Sequence, residues 1–297
     1  MKTFDPAQLS IPERHQLILG TVAPRPIAFA STIDNEGRTN LAPYSFFNAF
    51  SSNPPTLVFS SNRRAKGNTT KDTLHNVEAN GEVVINIMSY EYVRQLALAS
   101  IEYPADVSEF DKAGFTPVPS ELVKPFRVKE AIAQFECKVR DIIALGEEGG
   151  AGNLIICNVV LMHFAEYIFD EEGKINPQKT DQVARMGRAF YNRAHGENIF
   201  SLYQPVNVIG IGFDNMLEDI RHSQFLTHND LGALAAVEKL PDEAEIREKS
   251  NEITVREILH RLCDEPEKCR EKLHLYAKEL IKEGEVMEAW KVLLQKV

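Results

Sequence analysis

Apolar and polar positions alternate in short runs through the first two thirds of the chain. Residues 27–33 are apolar and stop at Asp34-Asn35-Glu36-Gly37, a turn signal. An extended pattern resumes at residues 38–41, so the pair reads as a hairpin. Thr56-Leu57-Val58-Phe59-Ser60 and Val83-Val84-Ile85-Asn86-Ile87 are rich in β-branched residues and predict two more strands. Between them, residues 70–80 predict a short helix opening with Lys71-Asp72-Thr73, and residues 90–99 predict another. Residues 131–145 and 153–167 are long extended runs. They are joined by Gly146-Glu147-Glu148-Gly149-Gly150-Ala151-Gly152, a flexible hairpin tip. Many strands, few short helices and no regular βαβ alternation argue for a mainly β protein with some α. A barrel fits that pattern better than a doubly wound sheet.

The pattern changes near residue 238. Of the last 60 residues 27 are charged, against 49 of the preceding 237. Thr254-Val255-Arg256-Glu257 has the form of a capping box, ahead of Val255, Ile258, Leu259 and Leu262 on one helical face. Pro266 suits the first turn of a second helix carrying Leu273, Ala277, Leu280 and Ile281, which Gly284 would end. A third helix runs through Val286, Ala289, Trp290 and Leu293. Each has a narrow apolar stripe, so this tail must pack on something.

Composition narrows the function. With 297 residues, 43% hydrophobic and 26% charged, the chain can bury a full core and looks like an ordinary globular protein. The net charge of −10 gives a nucleic-acid role no electrostatic support. Residues 1–13 lack an apolar core of signal-peptide length, and residues 154–164 are too short to span a bilayer and are broken by Asn158 and His163. No membrane partner is expected, and a cytoplasmic location is the default expectation. The four cysteines are too scattered for a disulfide framework. Cys137 and Cys157 read as reduced core residues, while the spacing of Cys263 and Cys269 is not that of a zinc finger, so no metal is expected. There is no P-loop, no H-E-x-x-H and no G-x-S-x-G, and Gly210-Ile211-Gly212 lacks the third glycine of a dinucleotide fingerprint.

The chemistry-bearing residues concentrate between Pro24 and Thr73. In order come Pro24-Arg25-Pro26-Ile27-Ala28, Asn40-Leu41-Ala42-Pro43-Tyr44-Ser45-Phe46-Phe47-Asn48, Pro54-Pro55 and Lys71-Asp72-Thr73. Small polar residues, a basic residue and prolines repeatedly interrupt the apolar alternation, a mixture that a plain core strand does not need. This order and spacing resemble the flavin reductase-like (flavoredoxin) family over about residues 10–200. The resemblance implies an FMN-binding split β-barrel of Greek-key type with short helices, here followed by a C-terminal helical extension. It also implies FMN as cofactor, NAD(P)H as co-substrate, a homodimer and an electron acceptor, for which a protein is one option. The expected division is a barrel domain over 1–200, a connecting segment over 201–237 packing on the barrel or a dimer partner, and a helical extension over 238–297.

FMN needs cations and donors for its phosphate, apolar walls for its ring, and hydrogen-bond donors along the ring's polar edge. Lys71, Asp72 and Thr73 at a helix start suit the phosphate, with the Asp72 carboxylate turned away or capping the helix. Ser45, Phe46, Phe47 and Asn48 would lie against the ring, mainly through backbone N–H groups. If extended, this segment puts Phe46 and Asn48 on one face. Ser60, Ser61 and Arg63 leave a strand in a polar, cationic loop suited to the ribityl chain or phosphate, and Ser31 and Thr32 could add ribityl contacts. Arg25, held outward between two prolines, could meet a nucleotide phosphate or equally form a structural salt bridge. Arg185 and Tyr191, flanking Met186-Gly187-Arg188-Ala189-Phe190, are candidates to close over the site. His163 is the one catalytic candidate, with a satisfied core histidine as the competing reading. Hydride transfer to flavin needs no nucleophile or general base, which fits the lack of an acid–base pair to nominate.

Overall fold

A computed structural model describes residues 1–202 and 209–297 of the chain. It divides into two compact units, Met1–Phe200 and Ser201–Val297.

The first unit opens with α1 (Ile11–Thr21), started by a capping box between Ser10 and Glu13 with Pro12 in the first turn. Then follow β1 (Ala28–Ile33), β2 (Thr39–Tyr44), β3 (Phe47–Ser52), β4 (Pro55–Ser60), α2 (Asp72–Asn80) and β5 (Glu82–Ile87). A 3-10 turn at Tyr90–Tyr92 leads into α3 (Val93–Leu98), which precedes α4 (Glu109–Ala113). Two short strands, β6 (Pro117–Val118) and β7 (Arg127–Val128), precede the long pair β8 (Ala133–Ala144) and β9 (Asn153–Phe164). The unit closes with α5 (Pro177–Thr180), β10 (Val183–Gly187) and β11 (Phe190–Arg193).

Seven strands form one antiparallel sheet in the order β2-β1-β5-β8-β9-β4-β3. The β1–β2 and β3–β4 hairpins therefore sit at its two edges, and β5, β8 and β9 join them. One sheet face buries Ala28, Ala30, Phe59, Val83, Ile85, Ile155 and Cys157 with Leu74 and Val77 of α2. The other buries Phe29 and Leu41 against Leu96, Phe110 and Phe115 of the α3–α4 region. Period-two side-chain alternation places these two sets on opposite faces of the same strands.

Near Ser45 the structure departs from the extended expectation. The chain bends at Ser45 and Phe46, because the Ser60 N–H at the end of β4 donates to the Phe46 carbonyl at 2.8 Å. Strand alternation resumes only at Phe47, which packs on the core, while Asn48 is exposed.

The second unit is helical, with α6 (Glu218–Arg221), α7 (His228–Ala235), α8 (Glu243–Lys249), α9 (Ile253–Arg261), α10 (Pro266–Lys282) and α11 (Val286–Leu293). Residues 203–208 of the expected connecting segment lie outside the described residues. Later residues of that segment, Met216, Ile220, Leu226, Leu231 and Leu234, share one core with Val255, Leu273, Ala277 and Trp290 of the tail helices. The Trp290 indole N–H donates to the Leu234 carbonyl at 3.0 Å in the centre of this core. Thr254 does not cap its helix. Glu252 takes that position, its carboxylate held by Lys249 and by the Tyr276 hydroxyl at 2.5 Å, which draws the helix start back. Among the described residues no helix is long and apolar enough to cross a membrane.

Candidate functional site

Two contiguous clefts in the first unit share Ser45, Phe46, Ser60 and Asn62. The larger, about 1460 Å³, runs between Ile18, Leu19 and Val22 of α1, Phe46, Phe47 and Phe50 around β3, and the β8–β9 tip. The smaller, about 360 Å³, is lined by Arg25, Tyr44, Lys71, Arg185, Arg188 and His15 among others. No aspartate or glutamate lines it.

Local folding positions each wall. Lys71 is the residue before the first turn of α2, and its ammonium lies 5.3 Å from the centre of the Tyr44 ring. Burial, with help from Arg64, holds the Lys71 pKa below the ordinary lysine value. The Tyr44 phenol is buried close to the hydroxyls of Thr73 and Ser61, and burial pushes its pKa up. Neither the Tyr44 hydroxyl nor the Ser61 Oγ has a hydrogen-bond partner among the described residues. Buried hydroxyls left in this condition are costly, and a ligand oxygen would satisfy them.

Arg25 is fixed from two sides. Its backbone pairs with that of Arg185, and its Nη1 donates to the Leu19 and Val22 carbonyls at 2.8 and 2.6 Å, closing the end of α1. The Nε of this buried guanidinium has no partner among the described residues. Burial, reinforced by Arg185, lowers its pKa, although a guanidinium keeps its proton at any working pH. Arg185 stacks on the Tyr191 ring at 4.6 Å and donates to the Arg188 carbonyl at 2.5 Å. None of Arg25, Lys71, Arg185 and Arg188 is ion-paired with a carboxylate among the described residues. Four unpaired cations stand together here in a protein of net charge −10, an arrangement that would attract an anion.

The other expected site residues divide. Ser60 lines both clefts, and its hydroxyl donates to Asn62 Oδ1 at 2.8 Å. Arg63 lines the larger cleft, but its guanidinium is tied to Asn68, with Nε 2.6 Å from Oδ1 and Nη2 2.8 Å from the carbonyl. The same loop clasps the β8–β9 tip. A Cβ on Gly149 would stand 2.8 Å from the Ala65 carbonyl oxygen, so only glycine allows that approach. Asp72 faces a separate polar depression with Asp34, Asn40 and His75, away from the cations. Thr32 accepts from Asn40 at 3.2 Å and from Asn76 at 3.0 Å, which commits it to joining β1, β2 and α2. Ser31 is buried within β1 on the opposite strand face from Thr32, its Oγ without a partner among the described residues, and neither residue lines either cleft.

His163 is also placed elsewhere. Its Nε2 lies 2.9 Å from Glu136 Oε1, on the sheet face covered by residues 119–128. Glu136 is fully buried and accepts from the Glu121 and Leu122 N–H groups at 2.9 and 2.6 Å. Burial would raise its pKa, but those donors and His163 outweigh it and hold the carboxyl below its usual value. His163 therefore anchors a strap and touches neither cleft. Tyr44, Arg188 and His15 are the site residues that sequence reasoning passed over. Tyr44 stood within a quoted motif, but its burial next to Lys71 has no sequence signature.

The fold defines a split-barrel protein, with a cation-lined cleft beside a larger, largely apolar one. Comparison with known proteins agrees. Residues 20–176 match the flavin reductase like domain, and the chain belongs to that family. A protein of Aquifex aeolicus with no described activity is 38% identical over 183 residues, spanning 62% of this chain and 91% of its own. Nitrilotriacetate monooxygenase component B from Bacillus cereus superposes with a TM-score of 0.63 at 33% identity, over 68% of this chain and 98% of that one. The 2-nitrobenzoate 2-nitroreductase NbaA of Pseudomonas fluorescens gives 0.62 at 27% identity, over 71% and 100%. Nearly the whole of each of these relatives is matched, yet about a third of this chain lies outside the matches.

Proposed function

We propose that the protein is an FMN-dependent oxidoreductase that takes reducing equivalents from NAD(P)H and passes them to an acceptor. The observation that carries this reading is the carboxylate-free cleft, with its unpaired cations and the orphaned Tyr44 hydroxyl, behind which the orphaned Ser61 hydroxyl is buried. Within this region Lys71 would meet the FMN phosphate with its charge, and Ser61, Tyr44 and Thr73 with their hydroxyls. The backbone at Ser45, Phe46, Phe47 and Asn48 and the hydroxyl of Ser60 flank the place for the ring and ribityl chain. Phe46, Leu19 and Ile18 offer apolar walls for the ring. Bound FMN would supply the two-electron chemistry, and the chain's own work is to bind, orient and desolvate. No side-chain acid or base is assigned.

The acceptor classes to assay first are suggested by two relatives, a monooxygenase component and a nitroreductase. A homodimer belongs to the same proposal. The edge strand β3 is exposed from Asn48 to Ser52, and Phe50, Met162 and Phe164 present apolar surface that a second copy would cover. Sedimentation velocity should give twice the chain mass, and a monomer at micromolar concentration would refute it.

The decisive experiment is an anaerobic visible spectrum of the FMN-reconstituted protein before and after NADH or NADPH. Bleaching of a protein-bound flavin band supports the oxidoreductase. Bound flavin that stays oxidised points to a carrier reduced by a protein donor. No bound flavin overturns the proposal.

A further inference from the structure

The cations of the smaller cleft exceed what one flavin phosphate requires. A phosphate monoester carries about two negative charges near neutral pH. Arg25, Lys71, Arg185 and Arg188 bring four positive ones, with no carboxylate in the lining. Lys71 and the Tyr44, Ser61 and Thr73 hydroxyls form one group, at the start of α2. The three arginines form another, on the backbone bridge between residue 25 and β10.

The arginine group is built, not incidental. The β10–β11 ladder slips register between Arg185 and Gly187, a bulge that re-aims the side chains around it. Arg188 follows with φ of 49°, a left-handed conformation unusual for a residue with a long side chain. Gly187, at φ of 91°, lies so close to α1 that a Cβ would stand 2.8 Å from the Leu19 carbonyl oxygen. The tip is thus clamped on the helix whose end Arg25 closes. Beside the guanidinium forks lie the rings of Tyr191 and Phe190, 37% and 62% exposed. Planar forks match phosphate oxygens, and exposed aromatic faces accept a base by stacking.

We infer that Arg185 and Arg188, backed by Arg25, form a second anion subsite that takes the diphosphate of a nicotinamide adenine dinucleotide. The inference rests on the proposed function for the identity of that ligand. Lys71 and its hydroxyl neighbours then hold the flavin, and the hairpin holds the reductant.

The test uses FMN-loaded full-length protein and ADP-ribose, which carries the diphosphate and no nicotinamide. Titration calorimetry should show ADP-ribose binding to the wild type, displaced by inorganic pyrophosphate. The double variant Arg185→Gln/Arg188→Gln should weaken ADP-ribose by roughly tenfold or more, the usual loss for a charge-assisted contact. Its FMN affinity should stay within about twofold, which also reports correct folding. The KM for NADH or NADPH should rise in parallel, while a phosphate-free dihydronicotinamide donor is unaffected. Equal losses of FMN and ADP-ribose would assign the arginines to the flavin and overturn the subsite. So would ADP-ribose that fails to bind, or pyrophosphate that fails to compete. Reduction by NADH with unchanged KM in the variant leaves the oxidoreductase standing and removes the subsite. Arginine-dependent ADP-ribose binding without any reduction of flavin does the reverse.

Discussion

Lys71, in the role proposed for it, would be kept against the interests of the fold. It is half-buried and faces other cations, and burial lowers its pKa. Between that lowered value and about 10.4, the unfolded chain binds more protons than the folded one. Stability without FMN should therefore rise with pH through this window, as the buried charge is discharged. Flavin affinity should fall through the same window, because the phosphate needs the charged lysine. Lys71→Met should remove both pH dependences. It should raise the melting temperature of the flavin-free protein and weaken FMN by roughly tenfold to a hundredfold, the range for a lost charge-assisted hydrogen bond. Fluorescence titration of FMN alongside thermal melts from pH 7 to 10 checks this. A variant that binds FMN as the wild type does would take Lys71 out of the site.

At the scale of elements, two devices hold pieces of chain in place. The strap over residues 119–128 is fastened by a buried carboxylate, Glu136, with His163 as its side-chain partner. Its lowered pKa means that Glu136 contributes stability above the unfolded value of about 4.3 and loses it as pH falls through the folded value. His163→Gln should cost about 1–2 kcal/mol of stability at neutral pH and leave the rate of flavin reduction unchanged. Urea melts paired with stopped-flow reduction separate these outcomes, and a slowed reduction with normal stability would restore His163 as a catalytic candidate. The second device is the clamp of the β10–β11 hairpin on α1. Gly187→Ala meets both a positive φ and a carbonyl oxygen, so it should destabilise by about 2 kcal/mol or more. It should also weaken ligands held by Arg185 and Arg188, whereas Gly173→Ala, with open space around its Cβ, should cost only the backbone strain.

The same elements show what a sequence can disclose. The β-branched runs that became β4 and β5 were legible because burial on both faces leaves little room for other residues. The α1 helix was not read, although Ser10 and Glu13 spell its cap, because it buries only Leu19 and so lacks a strong apolar stripe. The edge strand β3 was equally faint, its residues after Phe47 being exposed and mostly small or polar. The placing of Lys71 just before α2, which brings it to the cleft, was legible through an ordered motif. Arg188 and Tyr44 gain their meaning from tertiary neighbours, which no spacing along the chain records. For His163, strand periodicity reports which face the side chain shares but not that residues 119–128 cover that face.

The whole molecule carries two cores that differ in kind. The two sheet-face clusters of the barrel join strands distant in sequence, while the buried cluster of the helical unit joins residues between Met216 and Leu293. Each unit buries its own apolar surface, so each should unfold as its own cooperative transition. The chain supplies a clean reporter, since its single tryptophan is Trp290, fully buried in the helical core and bonded to Leu234. Bound flavin reports the other unit. In guanidinium, Trp290 emission and flavin release should follow curves with different midpoints, and FMN should shift only the flavin curve, by mass action on the state that binds it. Residues 1–200 alone should then bind FMN with wild-type affinity, as expected of a compact unit that contains the whole matched family domain. Coincident curves that FMN moves together would show instead that the helical unit is energetically part of the barrel. Its loss should then be felt at the flavin site.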